Sequence, residues 1–222
     1  MDEQLYNTLK ERAKRLKVAE HIGAIVGGRF LLAGGALTKD DNPKDFDIYG
    51  VEKPIVIDSL HYLHTVKETR NALTARIEGQ VVQFCKYHKP TPRELVESFD
   101  FAHCMAGAVF SESGELLDVV STRAFLVYER AGGSTWYTGS EYPLSSLMRC
   151  MKFQKRGLFH DYDYKPVVVS ILCDIIKRGF KDMEDYFDQC ASISEAFAEI
   201  GCVDSEELFA LLLKKEAESE VQ

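Results

Sequence analysis

No apolar run in this sequence is long enough to cross a bilayer as a helix. The opening stretch MDEQLYNTLKERAKRLK has no apolar centre and reads as a charged helix, not a signal peptide. Cys-x-x-Cys pairs and Cys/His ligand spacings are missing too. The 6 cysteines (Cys85, Cys104, Cys150, Cys173, Cys190 and Cys202) are scattered. That scatter predicts reduced thiols in a cytoplasm, several of them in the core, and speaks against a structural zinc site. Cations are in deficit: 27 Lys and Arg face 35 Asp and Glu, a formal net charge of -8. Broad binding to duplex DNA depends on cations that neutralise phosphates, so it is not expected here. The deficit is uneven, because Arg149, Lys152, Lys155 and Arg156 fall close together and offer one local basic groove. No internal repeat is present. What remains, 45% hydrophobic and 28% charged over 222 residues, is an ordinary globular composition. It allows one large domain or two small ones.

Phe30–Gly50 is the stretch around which the chain is arranged. The apolar run Phe30-Leu31-Leu32-Ala33 ends in Gly34-Gly35, and after a polar linker Asp45-Phe46-Asp47-Ile48-Tyr49 alternates. Side chains two apart on a strand share a face, so Asp45 and Asp47 project together while Phe46 and Ile48 point inward. Adjacent carboxylates repel, and a bound divalent cation removes that objection. The residues themselves thus suggest Mg²⁺ on Asp45 and Asp47, beside a phosphate held near Gly34-Gly35. A plain turn with surface acids is the alternative.

Around this stretch the periodicity predicts an amphipathic helix over residues 2–20, a strand at 29–33 and a helix over 54–65. His61 and His64 on the latter are read as surface or structural residues. Strands at 69–77 and 81–87 flank Glu78-Gly79-Gln80 as a hairpin. Thr91, Pro92 and Glu94 predict a capped short helix ending near Glu97. Residues 98–106 read as a strand whose one acid, Asp100, needs a partner because an unpaired buried charge is costly. An edge strand at 116–119 and a helix at 121–130 follow. The glycine- and hydroxyl-rich stretch 131–143 marks a boundary. Beyond it, helices over 143–156 and 165–178 precede acidic segments at 181–189 and 204–219.

Gly34-Gly35, then nine residues, then Asp45-Phe46-Asp47-Ile48, with Asp100 downstream, resembles the DNA polymerase beta-like nucleotidyltransferase superfamily. Ser98-Phe99-Asp100-Phe101 and Leu147-x-Arg149-x-x-Lys152-Phe153-x-x-Arg156-Gly157 are similar to nucleotidyltransferase-like proteins of bacteria and phages. The catalytic-domain resemblance spans roughly residues 29–119. It implies an α+β fold: a mixed-sheet nucleotidyltransferase domain with an N-terminal helix over 1–130, then a helical lobe over 131–222. The helical half is only generally similar to the lobe of poly(A) polymerases and CCA-adding enzymes.

The resemblance implies Mg²⁺-dependent transfer of a nucleoside monophosphate from an NTP, ATP included, to an acceptor hydroxyl of RNA, a protein or a small molecule. Two ions would be held by Asp45, Asp47 and Asp100. Backbone groups at Gly34 and Gly35 would approach the phosphates, and Arg149 and Lys152 would reach the triphosphate. Tyr137 or Tyr142 would stack on the base. The sequence departs from the family where Ala36-Leu37-Thr38 follows the glycines, which leaves only Thr38 for a hydroxyl contact. A cytoplasmic protein without membrane partners is expected. The rival expectation is a nucleotidyltransferase-fold binding or regulatory protein with little or no catalysis, such as a phage–host or toxin–antitoxin partner. A phosphohydrolase using the same metals is a third.

Overall fold

The alternation read from Phe30 to Tyr49 becomes the centre of a mixed seven-stranded sheet in the computed structural model, which describes residues 2–39, 43, 45–60, 62–68, 71–160, 162–182, 185, 186 and 189. His61, Asp40, Asp41, Cys190, Cys202 and the acidic segment 204–219 lie outside these residues. The chain divides into two compact units, Met1–Gly133 and Ser134–Gln222.

In the first unit β1 (Phe30–Ala33) pairs antiparallel with β2 (Phe46–Gly50), and β3 (Thr65–Glu68), β4 (Ala72–Ile77) and β5 (Gln80–Cys85) extend the sheet beyond β2. On the other side of β1 lie β6 (Ala106–Phe110) and β7 (Leu116–Ser121), giving the order β3-β4-β5-β2-β1-β6-β7. The β2–β5 pairing is parallel and the others are antiparallel, so the sheet is mixed and the class is α+β. The β4–β5 hairpin closes through Glu78 and Gly79 alone, both at positive φ (46° and 86°), the geometry a two-residue hairpin turn needs.

Each strand's alternation sorts its residues between two faces. Leu32, Ile48, Phe84 and Leu73 are in mutual register and fully buried on one, where Phe30 also stacks on Phe110 at 5.0 Å. The other carries Leu31, Ala33 and Val109 under Leu95 and Val96 of helix 92–97, with Tyr49 and Phe99 packed against the cluster. Asp47 belongs to this second face, two residues before Tyr49 and opposite Ala33.

The helices depart from the sequence reading in instructive places. The single helix expected over 2–20 is two: α1 (Glu3–Ala13), capped by Asp2, and α2 (Ala19–Val26), which runs through Gly23. Burial of Leu16 and Val18 between them explains the break, since tertiary packing outweighs a continuous helical period. The helix expected at 54–65 is a 3-10 turn (Ile57–Leu60) followed by β3. The strand expected at 98–106 is a 3-10 turn (Ala102–Cys104) leading into β6, so the strand starts later than its apolar sequence suggests. The hydroxyl of Thr91 accepts from Glu94 N at the start of α3 (Pro92–Glu97), as its sequence implies. Thr122 caps α4 (Arg123–Arg130) in the same way.

In the second unit α5 (Pro143–Lys155) packs along α6 (Tyr164–Arg178), burying Met148, Cys150 and Phe153 of one and Val167 and Ile171 of the other. Thr135 N donates to Leu158 O at 2.9 Å and the Ser134 hydroxyl donates to Asp163 at 2.6 Å, closing the loops on this pair. Among the described residues no helix is long and apolar enough to cross a membrane. Cys85, Cys104 and Cys150 are buried, and Cys173 is exposed.

Candidate functional site

β1 ends at Ala33, and the chain turns at once through a 3-10 segment, Gly34–Leu37. Gly34 adopts φ +78°, a region that side chains with a Cβ occupy only with strain. It also faces a carboxylate: a Cβ built there would sit 3.1 Å from Asp47 Oδ2. Gly35 has an ordinary φ, and a Cβ there would meet nothing within 4 Å. The two glycines, equivalent in the sequence, therefore have different work. Gly34 makes the turn and leaves room for Asp47. Gly35 is open to its surroundings.

The turn is held from behind. The Thr38 hydroxyl donates to Gly35 O at 2.7 Å and is buried, so it staples the turn. Arg12, reaching across from α1, donates to Leu37 O at 2.8 Å and pairs in bidentate fashion with Glu129 at 2.9 and 3.1 Å. Both side chains of that pair are nearly buried, at 9% and 7% exposure. Arg15 adds a hydrogen bond to Thr38 O at 3.2 Å. The Arg12–Glu129 support does not follow from a local motif, because the two residues are 117 positions apart.

Asp45 stands exposed immediately before β2, and Asp47 is half-buried within it. Register then brings in residues the sequence reading did not single out. Asp47 lies opposite Gln83 of the parallel strand β5, Gln83 opposite Thr74 of β4, and Thr74 opposite Lys67 of β3. Cross-strand partners share a face, so Lys67, Thr74, Gln83 and Asp47 form one polar row leading to the glycine turn. Gln83 Nε2 donates to Thr74 Oγ1 at 3.3 Å, which ties two members of this row together. A polar side chain in the middle of Val81-Val82-Gln83-Phe84-Cys85 was the signal for this residue.

Asp100 is buried, with 5% exposure, directly after Phe99, whose ring lies 5.8 Å from that of Tyr49. The 3-10 turn that follows it, Ala102–Cys104, contacts the glycine turn Gly34–Leu37. Even so, among the described residues no three His, Cys, Asp or Glu side chains gather as a metal-holding group. Gly34 and Asp47 are thus brought together and Asp45 adjoins them, while Asp100 does not complete a three-acid cluster with them. His103 is buried between the rings of Phe101 and Tyr128, the packed histidine of a core. Arg149 and Lys152 are half-buried on α5 of the second unit, and the Arg149 guanidinium lies 5.7 Å from the Phe153 ring centroid.

Asp45, just before β2, and Asp47 within it are the residues that could hold a hard cation through oxygen ligands. Mg²⁺ needs only one or two carboxylates when phosphates and water supply the rest. The absence of a Cβ at Gly34 is what lets the Asp47 carboxylate lie against the turn.

No protein-family model and no curated protein sequence matches the chain. Among solved structures the chain is similar to a Thermotoga maritima CCA-adding enzyme complexed with tRNA, at 11% identity and a TM-score of 0.49 over 85% of this chain and 50% of that one. It is also similar to a CCA-adding enzyme in complex with CTP, at 13% identity and a TM-score of 0.48 over 86% of this chain and 49% of that one. The chain therefore spans about half the length of these enzymes.

Proposed function

We propose that the chain is a Mg²⁺-dependent nucleotidyltransferase that moves a nucleoside monophosphate from an NTP to an acceptor hydroxyl. The observation that carries this reading is the placement of the Asp47 carboxylate against the Cβ-free face of Gly34, at the turn that joins β1 towards β2. It unites the acid and glycine elements of the sequence motif in one place. The motif's resemblance to the nucleotidyltransferase superfamily supplies the reaction class.

Asp45 and Asp47 are the proposed cation ligands. Mg²⁺ bound there would offset the triphosphate's negative charge and the charge that develops on the leaving pyrophosphate. Gly34 and Gly35 let the phosphates approach the backbone without a side chain in the way. The Arg12–Glu129 clamp and the Thr38 staple keep that turn in one conformation, which lowers the cost of ordering it on binding. In the reaction the acceptor hydroxyl gives up its proton to solvent, its oxygen forms a bond to the α-phosphorus, the bond from that phosphorus to the bridging oxygen breaks, and pyrophosphate leaves. Asp100 is proposed as a third carboxylate that assists from a buried position, and Arg149 and Lys152 as triphosphate contacts. RNA, a protein and a small molecule are all admissible acceptors, and net charge -8 favours an acceptor that needs only a local contact.

The test is incubation with each α-labelled NTP, with and without Mg²⁺, in the presence of RNA, protein and metabolite fractions. The expected result is Mg²⁺-dependent label on one fraction with release of pyrophosphate. Asp47→Asn should abolish transfer, and Asp100→Asn should lower it while nucleotide binding persists. Release of orthophosphate would make the protein a phosphohydrolase. An absence of any NTP-induced thermal shift in Mg²⁺ would overturn the reading altogether.

A further inference from the structure

A displacement at phosphorus has a direction, because the attacking and leaving oxygens lie roughly in line on opposite sides of it. In the first unit the neighbours of β2 are β1 and β5. Asp47 lies opposite Ala33 of β1, just where the glycine turn begins, and opposite Gln83 of β5 on its other side. With a triphosphate at the glycine turn and the α-phosphorus beside Asp47, pyrophosphate leaves towards β1 and the attacking hydroxyl stands over β5. Gln83 is the first side chain of the polar row on that side. Thr74 of β4 and Lys67 of β3 continue it. By the ordinary spacing of strands the three stand about 5, 10 and 14 Å from Asp47.

The chemistry of this row changes along its length. Gln83 and Thr74 are neutral, half-buried and joined by their own hydrogen bond. Beyond them the charge is positive. Lys67 is exposed, and so is Arg76, which follows Thr74 by two residues on β4 and therefore shares its face. Neither β4 nor β5 contains an acidic residue. We infer that the row seats the acceptor and that the acceptor is a phosphate ester. Its reacting hydroxyl and neutral polar groups lie on Gln83 and Thr74, and its phosphate lies on Lys67 and Arg76. This rests on the proposed reading of Asp47 and the glycine turn, and narrows the acceptor of that reaction. Gln83 orients the hydroxyl and is not a base, since an amide takes up no proton near neutral pH. The proton passes to solvent as the hydroxyl oxygen bonds to the α-phosphorus and pyrophosphate leaves. The hydroxyl of a protein side chain fits less well, because it brings no anion of its own to the two cations. The end of an RNA and a small sugar phosphate both supply the required chemistry.

The test uses the full chain with an α-labelled NTP, Mg²⁺ and three acceptor probes: an RNA fraction, a small-metabolite fraction and a protein fraction. Label is expected on RNA, from which nuclease releases it, or on a small metabolite, where prior phosphatase treatment abolishes it. These two arms separate the sources of the phosphate. With the labelled fraction as acceptor, Gln83→Leu and Thr74→Val should each lower kcat/KM by about tenfold. Lys67→Glu should raise the KM for acceptor by about fivefold at low salt with kcat unchanged, and the difference should shrink at high salt. The NTP-induced thermal shift should persist in all three variants, a split that a merely structural role in the sheet would not produce. Label on protein alone overturns the inference. So does an acceptor KM indifferent to Lys67→Glu. Variants that lose the NTP-induced shift together with transfer would assign the row to the nucleotide, which also overturns it. A parent protein with no NTP-induced shift fails earlier, on the reading of Asp47 and the glycine turn, and takes the inference down with it.

Discussion

Alanine at Gly34 and alanine at Gly35 should behave differently, although the two glycines are neighbours in one motif. At Gly34 the φ of +78° places an alanine in the left-handed region, which costs about 1–2 kcal/mol. Part of this, roughly 0.4–1 kcal/mol, is returned because alanine restricts the unfolded chain. The new methyl would lie 3.1 Å from Asp47 Oδ2, so the carboxylate must move by a few tenths of an ångström. With the cost of that contact included, a net loss of about 1–2 kcal/mol is expected, which at about 2–4 °C per kcal/mol for a chain of this size lowers Tm by about 2–8 °C. The effect on cation and nucleotide binding should be larger than that, since the displaced group is the proposed ligand. Gly35→Ala meets nothing within 4 Å and has no backbone strain, so its Tm should be unchanged or slightly raised. Thermal unfolding followed by circular dichroism, with and without Mg²⁺ and NTP, reads both effects. If the two variants lose equal stability, or if Gly34→Ala keeps the full nucleotide-induced shift, the assignment of Gly34 as the space reserved for Asp47 fails.

Three more outcomes follow from other contacts. Arg12→Met leaves the Glu129 carboxylate buried without its guanidinium, at 7% exposure, and should cost about 3–5 kcal/mol; the double variant Arg12→Met/Glu129→Leu should recover much of this in urea unfolding. Gln83→Glu places a third carboxylate next to Asp47 in register, so it should destabilise the protein in EDTA and raise its affinity for Mg²⁺, as read by calorimetry. Hydrogen bonds from Arg178, then from the Lys181 backbone, hold the Asp185 carboxyl far below the usual carboxylate range. A lowered folded-state pKa contributes stability above the unfolded value, and that contribution fades as pH falls towards the folded one. The Tm gap between parent and Asp185→Asn should therefore be full near neutrality and close in acid below the ordinary aspartate value of about 3.9; a gap that does not change with pH would refute it.

The parts of the fold legible in the sequence are those whose cause is local. Thr91-Pro92 and Glu94 announce a helix start, and Glu78-Gly79 supplies the positive φ pair of a hairpin. Gly34-Gly35 and Asp45-x-Asp47 likewise point to a turn and a strand with acids on one face. What stayed hidden depends on the register of distant strands. Gln83 acquires its place only because β5 runs parallel to β2, and nothing in Val82-Gln83-Phe84 specifies that partner. The break in the N-terminal helix was hidden for the same reason: Leu16 and Val18 are apolar at positions compatible with a helix, and the core claims them instead. The apolar run 98–106 predicts a strand in which Asp100 is the one acid. The structure instead buries Asp100 just ahead of a 3-10 turn, with Phe99 against Tyr49 and Phe101 in the core on either side of it in sequence.

The Arg12 clamp also has a bearing on time. Its two anchors, at α1 and α4, enclose nearly the whole first unit, and contacts so distant in sequence form only after the intervening chain has been ordered. The glycine turn is short and local, yet its final tension comes from the last helix of that unit. A chain emerging from the ribosome as far as β6 would carry both glycines and all three aspartates, with the turn held by Thr38, Arg12 and Arg15 but Arg12 not yet paired with Glu129. The clamp itself would be completed in a late event, when Glu129 is delivered to Arg12 and locks the first helix of the unit to its last.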